Sequence, residues 1–243
     1  MDHATTKQQD YYAATAESYA DAHLTAGDEH YVALEYALGI MDTVNASSVL
    51  DVGAGTGRAV DFIRHARPNF RVVGLEPVAA LREKAEAGGG TFVGGDGQAL
   101  PFAAEEFDVV MATGVMHHVQ DPRPVVEEMM RVAARAVLIS DSNRFGQGNS
   151  AGRLLKLALY RAGLWPAFDF IRTQGRGYME SDEDGVFYSY SVYDSLPAAI
   201  TWGSRAFVIP TNGTSTPTAG ALLGATHGLL VATREPADGW AGR

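Results

Sequence analysis

Apolar positions in this chain follow a helical spacing first and then a repeated alternation of strand and helix. Within the first 45 residues, Leu34, Leu38 and Met41 fall at i, i+4 and i+7, one face of a helix. Tyr11, Tyr12 and Tyr19 precede it with little apolar periodicity. From Val49 the pattern changes. Ser48-Val49-Leu50-Asp51-Val52 predicts a short strand, residues 53–57 a glycine-rich turn, and Arg58–Ala66 a helix with Val60 and Ile63 inward. Pro68-Asn69 breaks that helix. Residues 70–75 predict strand two, ending in Glu76-Pro77. Val78, Leu81 and Ala85 mark the next helix, which Gly88-Gly89-Gly90 stops because a glycine run does not hold helix. Thr91–Val93 is a brief third strand and Phe107–Thr113 an apolar fourth. Asp121 suits an N-cap and Pro122 the first helical position, with Val125, Val126, Met129 and Met130 facing a sheet. Residues 136–140 predict strand five. Continuously apolar strands alternating with helices mean a parallel sheet covered on both faces.

Residues 143–202 leave this alternation, with a helix around 154–160, then Trp165-Pro166, then an aromatic stretch punctuated by glycine. Residues 207–210 and 228–233 predict two final strands, and the Gly/Thr/Pro-rich residues 211–218 begin the link between them. The expected organisation is an N-terminal helical flap (1–45), a doubly wound α/β core (46–142 and 203–235), an inserted cap (143–202) and a flexible tail (236–243).

At 243 residues the chain is long enough to bury a core without staples. It has 29 acidic and 19 basic residues, a net charge of −10, and only three lysines, Lys7, Lys84 and Lys156. Nucleic acid and anionic membrane are therefore poor partners, since phosphate contacts need clustered positive charge. Small molecules fit better. The absence of Cys excludes thiol catalysis, disulfides and Cys-ligated metal, and fits a cytoplasmic location. No metal site is expected. The polar first ten residues do not read as a signal peptide, and no apolar run approaches the roughly 18 residues of a membrane span. A monomer and a homodimer are equally open.

Gly53-Ala54-Gly55-Thr56-Gly57 follows a strand and opens a helix, where glycines let backbone approach a ligand and the helix offers free N–H groups. A P-loop needs G-x-x-x-x-G-K-[ST], and no Lys lies near this turn. A nicotinamide dinucleotide fold uses G-x-G-x-x-G, whereas this loop is G-x-G-x-G with Asp51 two residues ahead. None of the three lysines has the Tyr four residues before it that short-chain reductases require.

Val49-Leu50-Asp51-Val52-Gly53-Ala54-Gly55-Thr56-Gly57-Arg58 resembles the first motif of the class I S-adenosylmethionine (SAM)-dependent methyltransferases. Gly74-Leu75-Glu76-Pro77 resembles the acidic end of their second strand, and Gly95-Asp96-Gly97-Gln98-Ala99-Leu100-Pro101-Phe102 their adenine loop. Phe107-Asp108-Val109-Val110 through His117-His118-Val119-Gln120-Asp121 resembles their fourth strand and its loop, and Met130-Arg131-Val132 the end of the helix before strand five. The likeness is strongest to the small-molecule branch typified by ubiquinone and menaquinone methyltransferases. It departs where Ala133-Ala134-Arg135 replaces that branch's Lys-Pro-Gly-Gly turn, and residues 143–202 match no motif.

The resemblance implies a Rossmann-like fold with a mostly parallel seven-stranded sheet and SAM as cofactor, with S-adenosylhomocysteine as product. It implies a cofactor site of Asp51, Gly53, Ala54, Gly55, Gly57, Glu76, Pro77, Asp96, Gly97, Gln98, Thr113 and Gly114, with Tyr19 closing over it. In it Glu76 accepts the ribose hydroxyls, Asp96 the adenine amino group, and Asp51 with the Gly114 carbonyl the methionine ammonium. Methyl transfer from a sulfonium is an in-line displacement governed by alignment and water exclusion. A base is needed when the acceptor carries a proton. His117 and His118 end strand four and Asp141 ends strand five, on the side where this fold binds ligands, so a histidine oriented by Asp141 suits that task. Tyr12, Arg172, Arg176, Tyr178, Tyr188 and Tyr190 are the expected substrate residues, the arginines facing an anionic group.

The expected activity is methyl transfer to oxygen or nitrogen of a small aromatic or heterocyclic metabolite. The alternatives are carbon methylation of a quinol-like ring and a SAM-binding regulatory protein without catalysis.

Overall fold

Asp28 opens the first described helix by accepting the amides of His30 and Tyr31 at 2.9 and 2.8 Å. The structure is a computed structural model that describes residues 6–8, 11, 12, 28–181, 185–213 and 220–235. Tyr19 and the tail from residue 236 lie outside the described residues. Helix α1 (Glu29–Thr43) buries Ala33, Leu34, Ala37 and Met41 against the sheet, the face its spacing predicts. Then come β1 (Ser48–Val52), α2 (Arg58–Ala66), β2 (Arg71–Leu75), α3 (Ala79–Ala87), β3 (Thr91–Val93) and β4 (Phe107–Thr113). Helix α4 (Pro122–Val132) starts at Asp121, whose carboxylate accepts the Arg123 amide, with Pro at the first turn. After β5 (Ala133–Ser142) lie α5 (Ser150–Arg161), α6 (Trp165–Arg172), the hairpin of β6 (Met179–Ser181) and β7 (Gly185–Phe187), α7 (Val192–Trp202), β8 (Arg205–Gly213), α8 (Gly220–Gly224) and β9 (Ala225–Thr233).

Seven strands form one sheet in the order β3-β2-β1-β4-β5-β9-β8. β1 to β5 are parallel, and β9 runs antiparallel to both neighbours. This is the expected doubly wound, mostly parallel fold. One apolar layer holds Leu50, Val110, Met129 and Ile139, and the other holds Leu34, Met41, Val49, Ile63 and Leu138.

Among the boundaries that differ from the sequence reading, three have a clear structural cause. β5 begins at Ala133, directly after α4, because Arg135 is anchored at the far end of the sheet. Its guanidinium pairs with Asp108 at 2.9 Å and donates to the Val44 carbonyl at 2.8 Å. β8 runs on through Thr211 to Gly213, where a link was expected. Pro210 is tolerated because β8 is an edge strand, and the register shifts just after it. Finally, α7 packs on the sheet as core: Val192 and Ala199 are buried with Met129 and Leu230, and Trp202 Nε1 donates to the Met130 carbonyl at 2.8 Å. Residues 192–202, expected in the inserted segment, thus pack on the core sheet.

Helix α5 buries none of its residues, and Leu154, Leu155, Leu164, Phe170 and Ile171 on α5–α6 are exposed. Opening free energy follows buried apolar contact. Amides of α5 are therefore expected to exchange with deuterium well before those of β4 and β5. Equal protection in a hydrogen-exchange time course would contradict this.

Candidate functional site

The strand order reverses between β1 and β4, and in open α/β sheets ligands bind outside the carboxyl ends at such a switch point. The glycine loop lies there. Gly53 and Ala54 donate their amides to the Leu75 carbonyl at 2.8 and 3.0 Å, folding the loop back over β2. Gly53, Gly55 and Gly57 have φ of 75°, 56° and 92°, a region L-residues rarely occupy. A Cβ on Gly53 would stand 2.5 Å from Val115 Cγ2, whereas one on Gly55 would project into open space. Gly57 caps α2 without a side chain, so the first amides of that helix face the same opening.

Glu76, buried at the end of β2, accepts the Gly55 amide at 2.9 Å and the Val78 amide at 2.8 Å. Burial raises its pKa, outweighing those two amides and Arg82. Asp51, the fourth residue of β1, is buried beneath the loop. Burial pushes it up to about 7, with Arg58 and the neighbouring Thr113 hydroxyl opposing and Glu76 reinforcing. Its Oδ1, Thr113 Oγ1, Ser140 Oγ and His30 Nδ1 are all buried without a hydrogen-bond partner among the described residues. His30 packs against Gly114, where a Cβ would come within 2.8 Å of the ring. Its burial and the Arg58 charge hold it down at about 4, so the ring is neutral at pH 7. Unpartnered buried polar atoms are scarce in folded proteins, and these four sit at or beside the carboxyl ends of β1, β4 and β5.

Past Gly114, a 3-10 turn at Met116–His118 carries the two histidines. Asp141, fully buried near the end of β5, accepts the Met116 amide at 2.9 Å and the Ser142 amide at 2.6 Å. His117 Nδ1 lies 2.8 Å from Asp141 Oδ1. Burial acts to raise Asp141. The His117 charge and hydrogen bond, the Ser142 amide and the His118 charge outweigh it and hold the carboxyl below its ordinary range. His118 has a different environment. Its Nδ1 lies 2.7 Å from the Val186 carbonyl oxygen and 3.2 Å from Gln8 Nε2, and Tyr12 packs edge-on against the ring at 5.6 Å.

Asp96 and Gln98 lie exposed on the rim with Gly97 between them, and Asp96 accepts the Gln98 amide at 2.9 Å. Pro77 is exposed beside Glu76. Among the expected substrate residues, Tyr188 and Tyr190 line a cavity of about 410 Å³ between the cap and the core. Tyr190 is buried, its hydroxyl 2.7 Å from Ser195 Oγ, and Tyr178 packs against Tyr188. Arg172 and Arg176 do not line this cavity. Arg172 pairs with Asp169 on the same helix at 2.6 Å, and Arg176 lies beside Glu180 on the exposed side. The arginine in the cavity is Arg144, which with His30 and Ser140 was not singled out from the sequence. Arg144 follows β5 by two residues, and its position after a carboxyl strand end is the one signal that could have found it. Among the described residues no group of His, Asp or Glu is arranged to hold a metal, and no helix is long and apolar enough to cross a membrane.

Residues 50–139 match a protein family described as a methyltransferase domain. An uncharacterized methyltransferase of Mycolicibacterium gilvum is 30% identical over 167 residues, covering 67% of this chain and 64% of the relative. One of Mycobacterium sp. (strain JLS) is 31% identical over 171 residues, covering 69% and 66%. The chain thus spans slightly less than two thirds of the length of these relatives. Among solved structures, the DhpI-SAM-HEP complex superposes with a TM-score of 0.62 at 18% identity, covering 97% of this chain and 100% of that one. The seven-stranded sheet is a Rossmann-like methyltransferase fold.

Proposed function

We propose that this chain, whose residues 50–139 match a methyltransferase domain, transfers the methyl group of SAM to an oxygen or nitrogen of a small aromatic or heterocyclic acceptor. The observation that carries this reading is the set of buried atoms without a hydrogen-bond partner among the described residues, Asp51 Oδ1, Thr113 Oγ1, Ser140 Oγ and His30 Nδ1, gathered at the glycine crevice. They fit a ligand that brings its own polar groups. When bound, SAM supplies an activated methyl group on a sulfonium.

A carboxylate offers about four lone-pair positions. Glu76 uses two on Gly55 and Val78 and keeps the others for ribose hydroxyls. Asp96 and the Gly97 amide stand on the rim for the adenine. Asp51 would receive the methionine ammonium beside the Gly114 carbonyl. The raised Asp51 pKa sets a sign. It lies above the unfolded value of about 3.9, so this group favours the folded protein at low pH and that contribution is lost as pH rises towards 7. An ammonium needs the ionised carboxylate. Affinity for S-adenosylhomocysteine is therefore expected to fall as pH drops below about 7 and to level off above it, with proton release on binding and no such dependence in Asp51→Asn. Calorimetry in buffers of different ionisation heat checks this.

Gly55→Ala should fold, at a cost of roughly 1–2 kcal/mol for its left-handed backbone, and should weaken S-adenosylhomocysteine binding because the methyl enters the crevice. Gly53→Ala should instead fail in the melting curve, since its Cβ collides with Val115.

Asp141, ionised, fixes the proton on His117 Nδ1 and leaves Nε2 as the basic nitrogen. His117 Nε2 would then take the acceptor's proton, while His118, held by Val186, and Tyr12 position the turn. A histidine–carboxylate pair at the crevice supports an acceptor that must lose a proton, a hydroxyl or ring N–H. Incubation with methyl-labelled SAM and a panel of phenols, catechols and N–H heterocycles tests this. Label should appear in at least one acceptor. Binding of the cofactor with no transfer to any would favour the regulatory alternative.

A further inference from the structure

The cap cavity holds an arginine with unusual surroundings. Arg144, in the 3-10 turn after β5, has a side chain only 9% exposed. Its guanidinium lies 5.0 Å from the Trp165 ring centre and 5.7 Å from that of Tyr160. It forms an ion pair with Asp194, whose Oδ2 also accepts the Ser191 amide at 3.0 Å, so that carboxylate is shared with the cap of α7. The Nε of Arg144 is buried with no hydrogen-bond partner among the described residues. Burial lowers its pKa to about 10, which still leaves it charged at neutral pH.

Charge around this corner runs against the rest of the chain. Arg172 acts on Arg144 electrostatically, and Lys156 feels Arg144, Arg153 and Arg172. Asp169 and Asp194 are the carboxylates beside them. The cavity wall itself carries one cation and one anion, Arg144 and its partner Asp194, and Asp141 acts on Tyr190 in that wall, so the further positive charge comes from Lys156, Arg153 and Arg172 outside the lining. Leaving a guanidinium N–H buried and unmade is costly, more so for a charged group. The cavity's about 410 Å³ suits a small molecule. Its wall is shared with the histidine turn: Val119 and Gln120 follow His118 directly, and Tyr188, also lining it, donates its amide to the His117 carbonyl at 2.7 Å.

We propose that the acceptor carries an anionic group, a carboxylate or phosphate-type oxyanion on an aromatic ring, and that Arg144 receives this group in the cap cavity. The ring lies among Tyr160, Trp165 and Tyr188, and the end to be methylated points to the histidine turn. This rests on the methyltransferase reading for the role of the ligand, but the anion site stands on its own geometry.

The test is calorimetric titration of the full chain with benzoate, phenyl phosphate and the neutral isostere benzamide, each with and without S-adenosylhomocysteine. At least one anion should bind tenfold or more tightly than benzamide, and which one identifies the oxyanion. Arg144→Gln should abolish the preference and Arg144→Lys should keep part of it. Benzamide binding as well as both anions, or a preference that survives Arg144→Gln, would overturn the proposal. Should the Gln variant not fold, protection of Arg144 from phenylglyoxal by the anion in wild-type protein, read by mass spectrometry, decides the matter: no protection overturns it. An anion preference without S-adenosylhomocysteine binding would sink the methyltransferase reading alone. Cofactor binding without any anion preference would sink the anion site alone.

Discussion

Glu76→Ala lowers the affinity for S-adenosylhomocysteine at least tenfold. A hydrogen bond to a charged acceptor contributes about 1.5–3 kcal/mol, and one such bond to a ribose hydroxyl already corresponds to a tenfold change. Glu76 also holds the crevice in shape, because its two oxygens accept the Gly55 and Val78 amides at 2.9 and 2.8 Å. Alanine leaves both amides without their carboxylate, so the glycine loop loosens as well. Glu76→Gln keeps the shape of the side chain but not its two accepting oxygens. Its amide nitrogen must face one of those N–H donors, so it too should bind poorly while keeping the side-chain volume. Titration and melting curves of both variants check this, and binding within threefold of wild type in either would remove Glu76 from the site.

Asp141→Asn and His117→Ala each reduce turnover by about 10²–10⁴, the usual worth of a positioned base. Asparagine cannot offer two anionic oxygens to the Met116 and Ser142 amides and to His117 Nδ1 at once. It also removes the charge that fixes the imidazole tautomer. Because the two residues act as a unit, the double variant should lose little more than either single one. Full additivity in a double-mutant cycle would show that they act independently. S-adenosylhomocysteine should bind all three variants nearly as well as wild type. The Asp141 carboxyl is held below its unfolded value, so its stabilising effect is present above about pH 3.9 and is lost as pH falls through the folded value. Asp141→Asn should therefore flatten the acid limb of the stability curve.

Punctuation decided which elements could be read from the sequence. The helix Arg58–Ala66 and the strands Thr91–Val93 and Phe107–Thr113 agree residue for residue, because Gly57, Pro68, Gly88 to Gly90 and a run of buried apolar residues bound them. β5 began three residues early because what starts it is not apolar patterning but a tertiary anchor, Arg135 on Asp108. α7 reads as part of the inserted segment because its packing partners, α4 and β9, are distant in sequence. The crevice residues were legible as a motif on strand ends, and the Asp141–His117 contact followed from adjacent strands. His30 was invisible, since its place beside Gly114 depends on how α1 crosses the sheet. Arg172 is taken by Asp169 three residues before it, a helical pairing visible in the sequence, whereas burial of Arg144 needs the cap folded over it.

The central claim is that this crevice binds SAM, and calorimetric titration of the wild-type chain with S-adenosylhomocysteine, with NADH as control, tests it most directly. The account predicts a single site of micromolar affinity, about −8 kcal/mol, and no heat with NADH. Absence of S-adenosylhomocysteine binding, or binding of NADH alone, would contradict it.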